Sequence, residues 1–319
     1  MDEPLIQIQG LHKHFGDVRA VDGVDLRVPS GEVYGMLGPN GAGKTTCIRT
    51  LLGYLNPTEG SAHVLGGDAR SLSVRRRIGY LPGDLRLEPK AHVRSLLDWF
   101  ADLRGGVPEG RVDALCERLH LDPDRRFGEL SKGNRQKVGV VQAFMHDPDV
   151  LVLDEPTSGL DPLMQREVVD LVRERQREGS AVLFSSHIIF EVEEVADRVG
   201  ILRSGRLVVE DSVAGLQEVT ARQSMHVRFG RDVARSDFAG VDLVSVHTDG
   251  RTADVVVKGA IAPLLQRLAD LGAVHLSTDP LVLDDVFYGA FDQADRVDGA
   301  DGAVRAAEAD PSDPGTEQR

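Results

Sequence analysis

The 319-residue chain is 41% hydrophobic and 28% charged, long enough for about two domains of roughly 150 residues each. Its formal charge of −14 has the wrong sign for a protein that holds nucleic acid mainly by neutralising phosphates. Two cysteines, Cys47 and Cys116, exclude a disulfide scaffold, no run nears the ~18 apolar residues of a membrane-spanning helix, and the acidic opening MDEPLIQIQG lacks the apolar core of a secretory signal; the expected location is the cytoplasm.

Over the first 210 residues, short aliphatic runs alternate with longer helical patterns, which predicts an α/β body with a mostly parallel sheet. Strands are expected at 32–37, 150–154, 181–185 and 198–202, and a helix at 45–55. Between residues 88 and 145 the strand signals vanish, while 93–103 and 111–119 place apolar residues three and four apart, so this span reads as a helical insert. A short polar helix near 212–220 ends the first domain, 1–220. The pattern then restarts with strands at 225–229, 241–247 and 253–258 and a helix at 261–271, a small α+β domain over 221–291. From 292 onward Ala, Asp, Gly and Pro dominate, and the last 28 residues carry −5 of the net charge; a segment with so little to bury is expected to be disordered.

Residues 38–46 read GPNGAGKTT, two glycines four apart followed by lysine and a hydroxyl residue, the pattern of a phosphate-binding loop. Gly38, Asn40, Gly41, Ala42, Gly43, Lys44, Thr45 and Thr46 are the candidate nucleotide-binding residues. Glycines let backbone N–H groups converge on phosphate oxygens, Lys44 brings positive charge to the β- and γ-phosphates, Thr45 can ligate Mg²⁺, and the following helix points its dipole inward. Residues 150–155, VLVLDE, place two carboxylates at the exit of a buried strand, where α/β sheets bind ligands. Asp154 would hold Mg²⁺ and Glu155 would polarise the water attacking the γ-phosphate. His12 and His14 flank Lys13 without a carboxylate or cysteine at metal-ligand spacing, so no metal beyond nucleotide-bound Mg²⁺ is expected. Cys47, directly after the loop, reads as core.

Two further segments narrow the field. ELSKGNRQK at 129–137 and PTSGLDP at 156–162 resemble the signature and D-loop segments of ABC-type ATPases, and the resemblance runs over about residues 4–220 in the family's order. It implies a P-loop ATPase core with a helical subdomain, ATP and Mg²⁺ as ligands, Phe15 stacking on adenine, His187 as the switch histidine beside the γ-phosphate, and Lys44, Glu155 and His187 as the reacting set. Ser131, Gly133 and Asp161 would face ATP held by a second ATPase subunit, because in that family two nucleotides are sandwiched between two domains. One chain then carries half of each site and works as a homodimer or beside a related chain.

Two positions depart from the family pattern. The signature reads SKGN where SGGQ is usual, which leaves Ser131 and the Gly133 backbone to make the anion contact. In YLPGD at 80–84 glycine stands where the family has a glutamine; either Asp84, as an alternative Mg²⁺ ligand, or the backbone replaces it. PLVLDDVFYGAF at 280–291 resembles the closing helix of ATPase subunits of bacterial drug and antibiotic exporters. The resemblance therefore implies an ATPase subunit on the inner face of the membrane, acting through separate membrane-spanning permease subunits; Trp99 and Phe100 of the insert read as core, or, if exposed, as contacts for the permease that docks on this insert in the family. The alternative is a soluble ABC ATPase acting on ribosomes or DNA; the single cassette and the negative charge weigh against it.

Overall fold

The computed structural model describes residues 3–219, 222–258 and 261–278. The segment at 280–291 and the acidic tail at 292–319 lie outside the described residues. The chain divides into two compact units between Gly215 and Leu216.

In chain order the first unit contains β1 (Ile6–Phe15), β2 (Val18–Val28), β3 (Val33–Leu37), α1 (Lys44–Leu51), β4 (Glu59–Val64), α2 (Leu72–Arg75), β5 (Ile78–Leu81), α3 (Val93–Arg104), α4 (Arg111–Arg118) and α5 (Lys132–Phe144). It continues with β6 (Val150–Asp154), α6 (Pro162–Arg177), β7 (Ala181–Ser186), α7 (Ile189–Val195), β8 (Arg198–Arg203) and β9 (Arg206–Ser212), and α8 (Val213–Val219) crosses the boundary. A six-stranded sheet runs β5-β6-β7-β3-β8-β9, parallel except for its antiparallel edge strand β9. The whole of β3, β6 and β7 is buried, which is why they read as unbroken apolar runs rather than alternating ones: both faces of the sheet are covered.

A second, antiparallel sheet, β2-β1-β4, is absent from the sequence expectation. Its first strand breaks period-two alternation, because the pairing of β1 with β2 shifts register between Ile8 and Leu11, at Leu11/His12 and at Lys13/His14; such bulges hide a strand from a periodicity test. Ile6, Ile8 and Leu11 of β1 and Val21, Val24 and Leu26 of β2 nonetheless share one core with Tyr34 and Met36 of β3, Cys47, Ile48 and Leu51 of α1, and Val150 and Val152 of β6. Helix α1 is thus packed between the two sheets. It is shorter than expected because Leu52 leaves the helical region and Gly53, at φ 73°, turns the chain away. The helical insert holds α3, α4 and α5, all between residues 93 and 144.

The second unit is a four-stranded antiparallel sheet, β11-β12-β10-β13, from β10 (Arg222–Phe229), β11 (Leu243–Asp249), β12 (Thr252–Lys258) and β13 (Ala273–Thr278), with α9 (Ala262–Asp270) between β12 and β13. Alternate residues Met225, Val227, Phe229 and Ala253, Val255, Val257 face Leu264, Leu268 and Leu271 in one core, the period-two strands meeting the i, i+4, i+7 stripe of a helix. Each buried leucine contributes about 1.5–3 kcal/mol.

Candidate active site

Strand β3 ends at Leu37 and α1 begins at Lys44, and the loop between them is closed tightly. A Cβ at Gly38 would lie 2.4 Å from the Leu202 carbonyl, and one at Gly43, where φ is 110°, would lie 2.5 Å from the Ala20 carbonyl. Only glycine fits at either position. The first turn of α1 supplies N–H groups without intrahelical partners at the mouth of this loop. Lys44 is 4% exposed; its Nζ donates to the carbonyls of Gly38 (2.5 Å) and Pro39 (3.2 Å) and stands 3.8 Å from Glu155 Oε1. Burial pushes the Lys44 pKa down, and the carboxylates of Glu155 and Asp154 oppose that shift.

The register of β6 on β7 puts Asp154 opposite Ser185. Ser185 Oγ donates to Asp154 Oδ1 at 2.6 Å and Thr45 Oγ1 donates to Oδ2 at 3.0 Å, so the loop threonine and the strand-end aspartate, over a hundred residues apart, are joined directly. The chain then bends: Glu155 has φ 50°, a left-handed conformation costing a non-glycine residue about 1–2 kcal/mol. It is held there by Glu155 N–H donating to Ser185 O and Oγ and by Gln136 Nε2 donating to the carbonyls of Glu155 and Pro156. The bend places Glu155 Oε1 3.0 Å from His187 Nδ1. Thus Lys44, Thr45, Asp154, Glu155 and His187 form one connected group.

Thr45 Oγ1 and Asp154 Oδ2 are hard oxygen donors side by side, a set that suits Mg²⁺. Position 83 also faces them: a Cβ on Gly83 would sit 3.5 Å from the Asp154 carbonyl and 3.6 Å from Oδ2, ordinary contact distances with no positive φ to strain. Asp84, in contrast, is 70% exposed and pairs with Arg86 at 2.7 Å. The position aimed at Asp154 is therefore the glycine, and Asp84 is engaged elsewhere. Gly83→Gln is expected to fold normally and to lower the Mg²⁺ concentration for half-maximal ATPase about 3-fold or more, while Asp84→Ala stays within twofold of wild type. A Mg²⁺ titration of steady-state phosphate release checks both, and a tenfold loss in Asp84→Ala would reinstate Asp84 as the substitute.

The remaining sequence-selected residues lie on other elements. Ser131 caps α5, its Oγ accepting from Asn134 N at 3.2 Å, an arrangement contributing about 1 kcal/mol. Gly133 packs on the D-loop backbone so closely that a Cβ would lie 2.6 Å from Gly159 O. Asp161 caps α6 by accepting from Leu163 N and Met164 N at 3.1 Å. Phe15, at the end of β1, is 49% exposed with Lys13 Nζ 5.0 Å above its ring, an exposed aromatic of the kind on which a base stacks. Among the described residues no hydrogen bond joins Phe15, Ser131, Gly133 or Asp161 to the Lys44–Glu155 group. Cys47 is buried and its thiol pKa is pushed up to about 12 by desolvation.

Sequence reading missed Ser185, Gln136 and Glu191, the last described below. It also missed that β1–β2 pairing gathers His12, His14 and Asp22, with ligand atoms within 4.8 Å. Arg206 donates to the Asp22 carboxylate through Nε and Nη2, and Arg19 lies 3.7 Å away. Hydrogen bonding by Arg206 is the main cause that holds Asp22 below the usual carboxylate range. Two guanidinium groups already compensate this carboxylate and oppose a further cation there.

A phosphate-binding loop, a buried strand-end aspartate beside its threonine and a glutamate paired with a histidine define the class: a P-loop nucleotide hydrolase. Residues 21–158 match the family described as ABC transporter. The daunorubicin resistance ATP-binding protein DrrA3 of Streptomyces coeruleorubidus is 34% identical over 305 residues, covering 90% of this chain and 96% of that one. The bacitracin transport ATP-binding protein BcrA of Enterococcus faecalis is 33% identical, covering 68% and 72%. A solved ATP-binding subunit of an ABC transporter superposes with a TM-score of 0.63 at 26% identity, covering 67% of this chain and 92% of that chain. A cassette solved as a dimer with ADP and phosphate shares the fold, at a TM-score of 0.60 and 21% identity over 65% of this chain and 98% of that one. The chain belongs to the ABC transporter family as one of its ATP-binding, ATP-hydrolysing subunits. Among the described residues, no helix is long and apolar enough to cross a membrane.

Proposed function

We propose that this subunit powers an exporter, of a drug or antibiotic, through separate membrane-spanning subunits, and that two ATPase subunits close over two nucleotides. The observation that carries the hydrolytic half is the joined group of Lys44, Thr45, Asp154, Glu155 and His187. Lys44 and the N–H groups of the glycine loop and first turn of α1 hold the phosphates, and Thr45 and Asp154 hold Mg²⁺, which when bound neutralises charge on the phosphate oxygens. Glu155 accepts the proton of the attacking water, and His187, hydrogen-bonded to Oε1, orients that carboxylate. Ser131, Gly133 and Asp161 of a second copy complete each site. The names of the relatives, daunorubicin resistance and bacitracin transport, support the export reading and the class of cargo.

A cleft on the first unit supports a docked partner. Its floor is apolar, with Leu52, Ala69, Ile78 and Phe100, and its rim combines exposed Tyr54, Leu72 and Leu103 with Arg75, Arg76 and Arg104. Large apolar side chains gathered in a cationic rim fit an amphipathic, acidic segment of a permease. Leu72 is 62% exposed, so Leu72→Asp should leave stability within about 0.5 kcal/mol and isolated ATPase within twofold. The same change should abolish recovery of a multi-span protein when tagged chain is pulled from detergent-solubilised source membranes with ATP and Mg²⁺. Undiminished recovery would move the docking surface elsewhere, and ribosomal or DNA-bound material in place of a membrane chain would overturn the exporter reading.

A further inference from the structure

We propose that Glu191 is a positioning residue for hydrolysis, tying the turn that follows Glu155 to the turn that carries His187. This rests on Glu155 as the base and His187 as its partner. Glu191 lies in the first turn of α7 and is only 9% exposed. Its two oxygens are used separately: Oε1 accepts from Thr157 Oγ1 and Oε2 from Ser186 Oγ, each at 2.6 Å. Thr157 and Ser186 are themselves 2% and 1% exposed.

The two hydroxyls stand at the roots of the reacting side chains. Thr157 is two residues past Glu155, and its carbonyl accepts from Leu160 N in the D-loop turn. Ser186 directly precedes His187, and its Oγ also accepts from Ile188 N at 2.9 Å, so the residues on both sides of the histidine are pinned by one hydroxyl. A single buried carboxylate therefore fixes the spacing of two turns whose side chains must meet at 3.0 Å. Both hydroxyls point at this one carboxylate, so neither turn can shift without losing a hydrogen bond of 2.6 Å. A misplacement of about 1 Å in such a pair costs on the order of 100-fold in rate.

Glu191→Ala leaves both hydroxyls without an acceptor, and it should lower kcat about 10- to 100-fold while the KM for ATP and equilibrium ATP binding change less than 3-fold. Glu191→Gln keeps the shape, can accept from one hydroxyl and donate to the other, and should recover to within about 5-fold of wild type. A purely structural role would instead lower the melting temperature and ATP binding together and leave kcat per folded molecule unchanged. Thr157→Val removes the hydrogen bond to Glu191 Oε1 and Ser186→Ala removes that to Oε2 together with the one from Ile188 N, neither opening a large cavity. If Glu191→Ala does not fold, these two decide: kcat within twofold of wild type in both overturns the proposal, as does the same result in a folded Glu191→Ala. Glu155→Gln is measured alongside. Normal turnover in Glu155→Gln rejects the base itself, whereas loss there with unaffected Glu191, Thr157 and Ser186 variants rejects only the positioning role.

Discussion

Glu155→Gln is expected to lower ATP turnover at least about 100-fold, within the range that a positioned general base contributes, while ATP binding persists. The carboxamide is the same size, so the left-handed backbone at residue 155, fixed by Ser185 and Gln136, has no reason to move. What changes is basicity and charge. An amide cannot take the water proton, and Lys44 Nζ, 3.8 Å from Oε1, loses a nearby carboxylate that competes with phosphate for it. ATP affinity should therefore hold or rise, and a closed dimer that cannot hydrolyse its nucleotide should accumulate. Phosphate release, fluorescent-nucleotide titration and size-exclusion chromatography with ATP read the three effects. Hydrolysis at a near-normal rate would remove Glu155 from the role of base.

Lys44→Ala should weaken ATP binding by about 2–4 kcal/mol, roughly 30- to 1,000-fold, the cost of truncating one side of a desolvated charge contact. The ammonium is almost wholly enclosed, so water replaces little of what it supplied. Its removal also leaves the Gly38 and Pro39 carbonyls without the donor that now braces the loop, and Asp154 and Glu155 without the positive neighbour that offsets their repulsion of phosphate. Calorimetric titration with ATP and Mg²⁺ measures the change; an affinity within about threefold of wild type would show that the backbone alone holds the phosphates. The two variants thus separate: one keeps nucleotide and stops, the other never retains it.

Local motifs were legible because their physics is local. Glycines at 38, 41 and 43 advertise a turn that side chains cannot make, and VLVLD advertises a strand covered on both faces. The antiparallel sheet was not legible, since the bulges of β1 scatter its alternation. Nor was the wiring between distant segments. AVLFSS ends in two serines that look alike in sequence, yet β6–β7 register gives Ser185 to Asp154 and leaves Ser186 for Glu191. Glu191 itself is one acid among Glu191, Glu193 and Glu194, and only the fold selects which of them turns inward. Gln136 is similarly lost in the polar run of GNRQK until α5 brings it against the Glu155 carbonyl. The glycine at 83 was visible as a departure, but that its Cβ direction points at Asp154 and that Asp84 is taken by Arg86 required coordinates.

The burial of α1 between two sheets has a mechanical consequence. Tension applied to the phosphate-binding loop is transmitted at once to the strands on either side, because Cys47, Ile48 and Leu51 are close-packed against both and such interiors deform little. The loop is a fixed anvil. Give is left to exposed backbone at the edge of the site, and Gly83 and Asp84 are both exposed while Met145 and Pro148, ahead of β6, are buried. A rearrangement of the site on nucleotide exchange is therefore expected to show as movement of residues 83 and 84, beside Asp154, and not of the phosphate-binding loop.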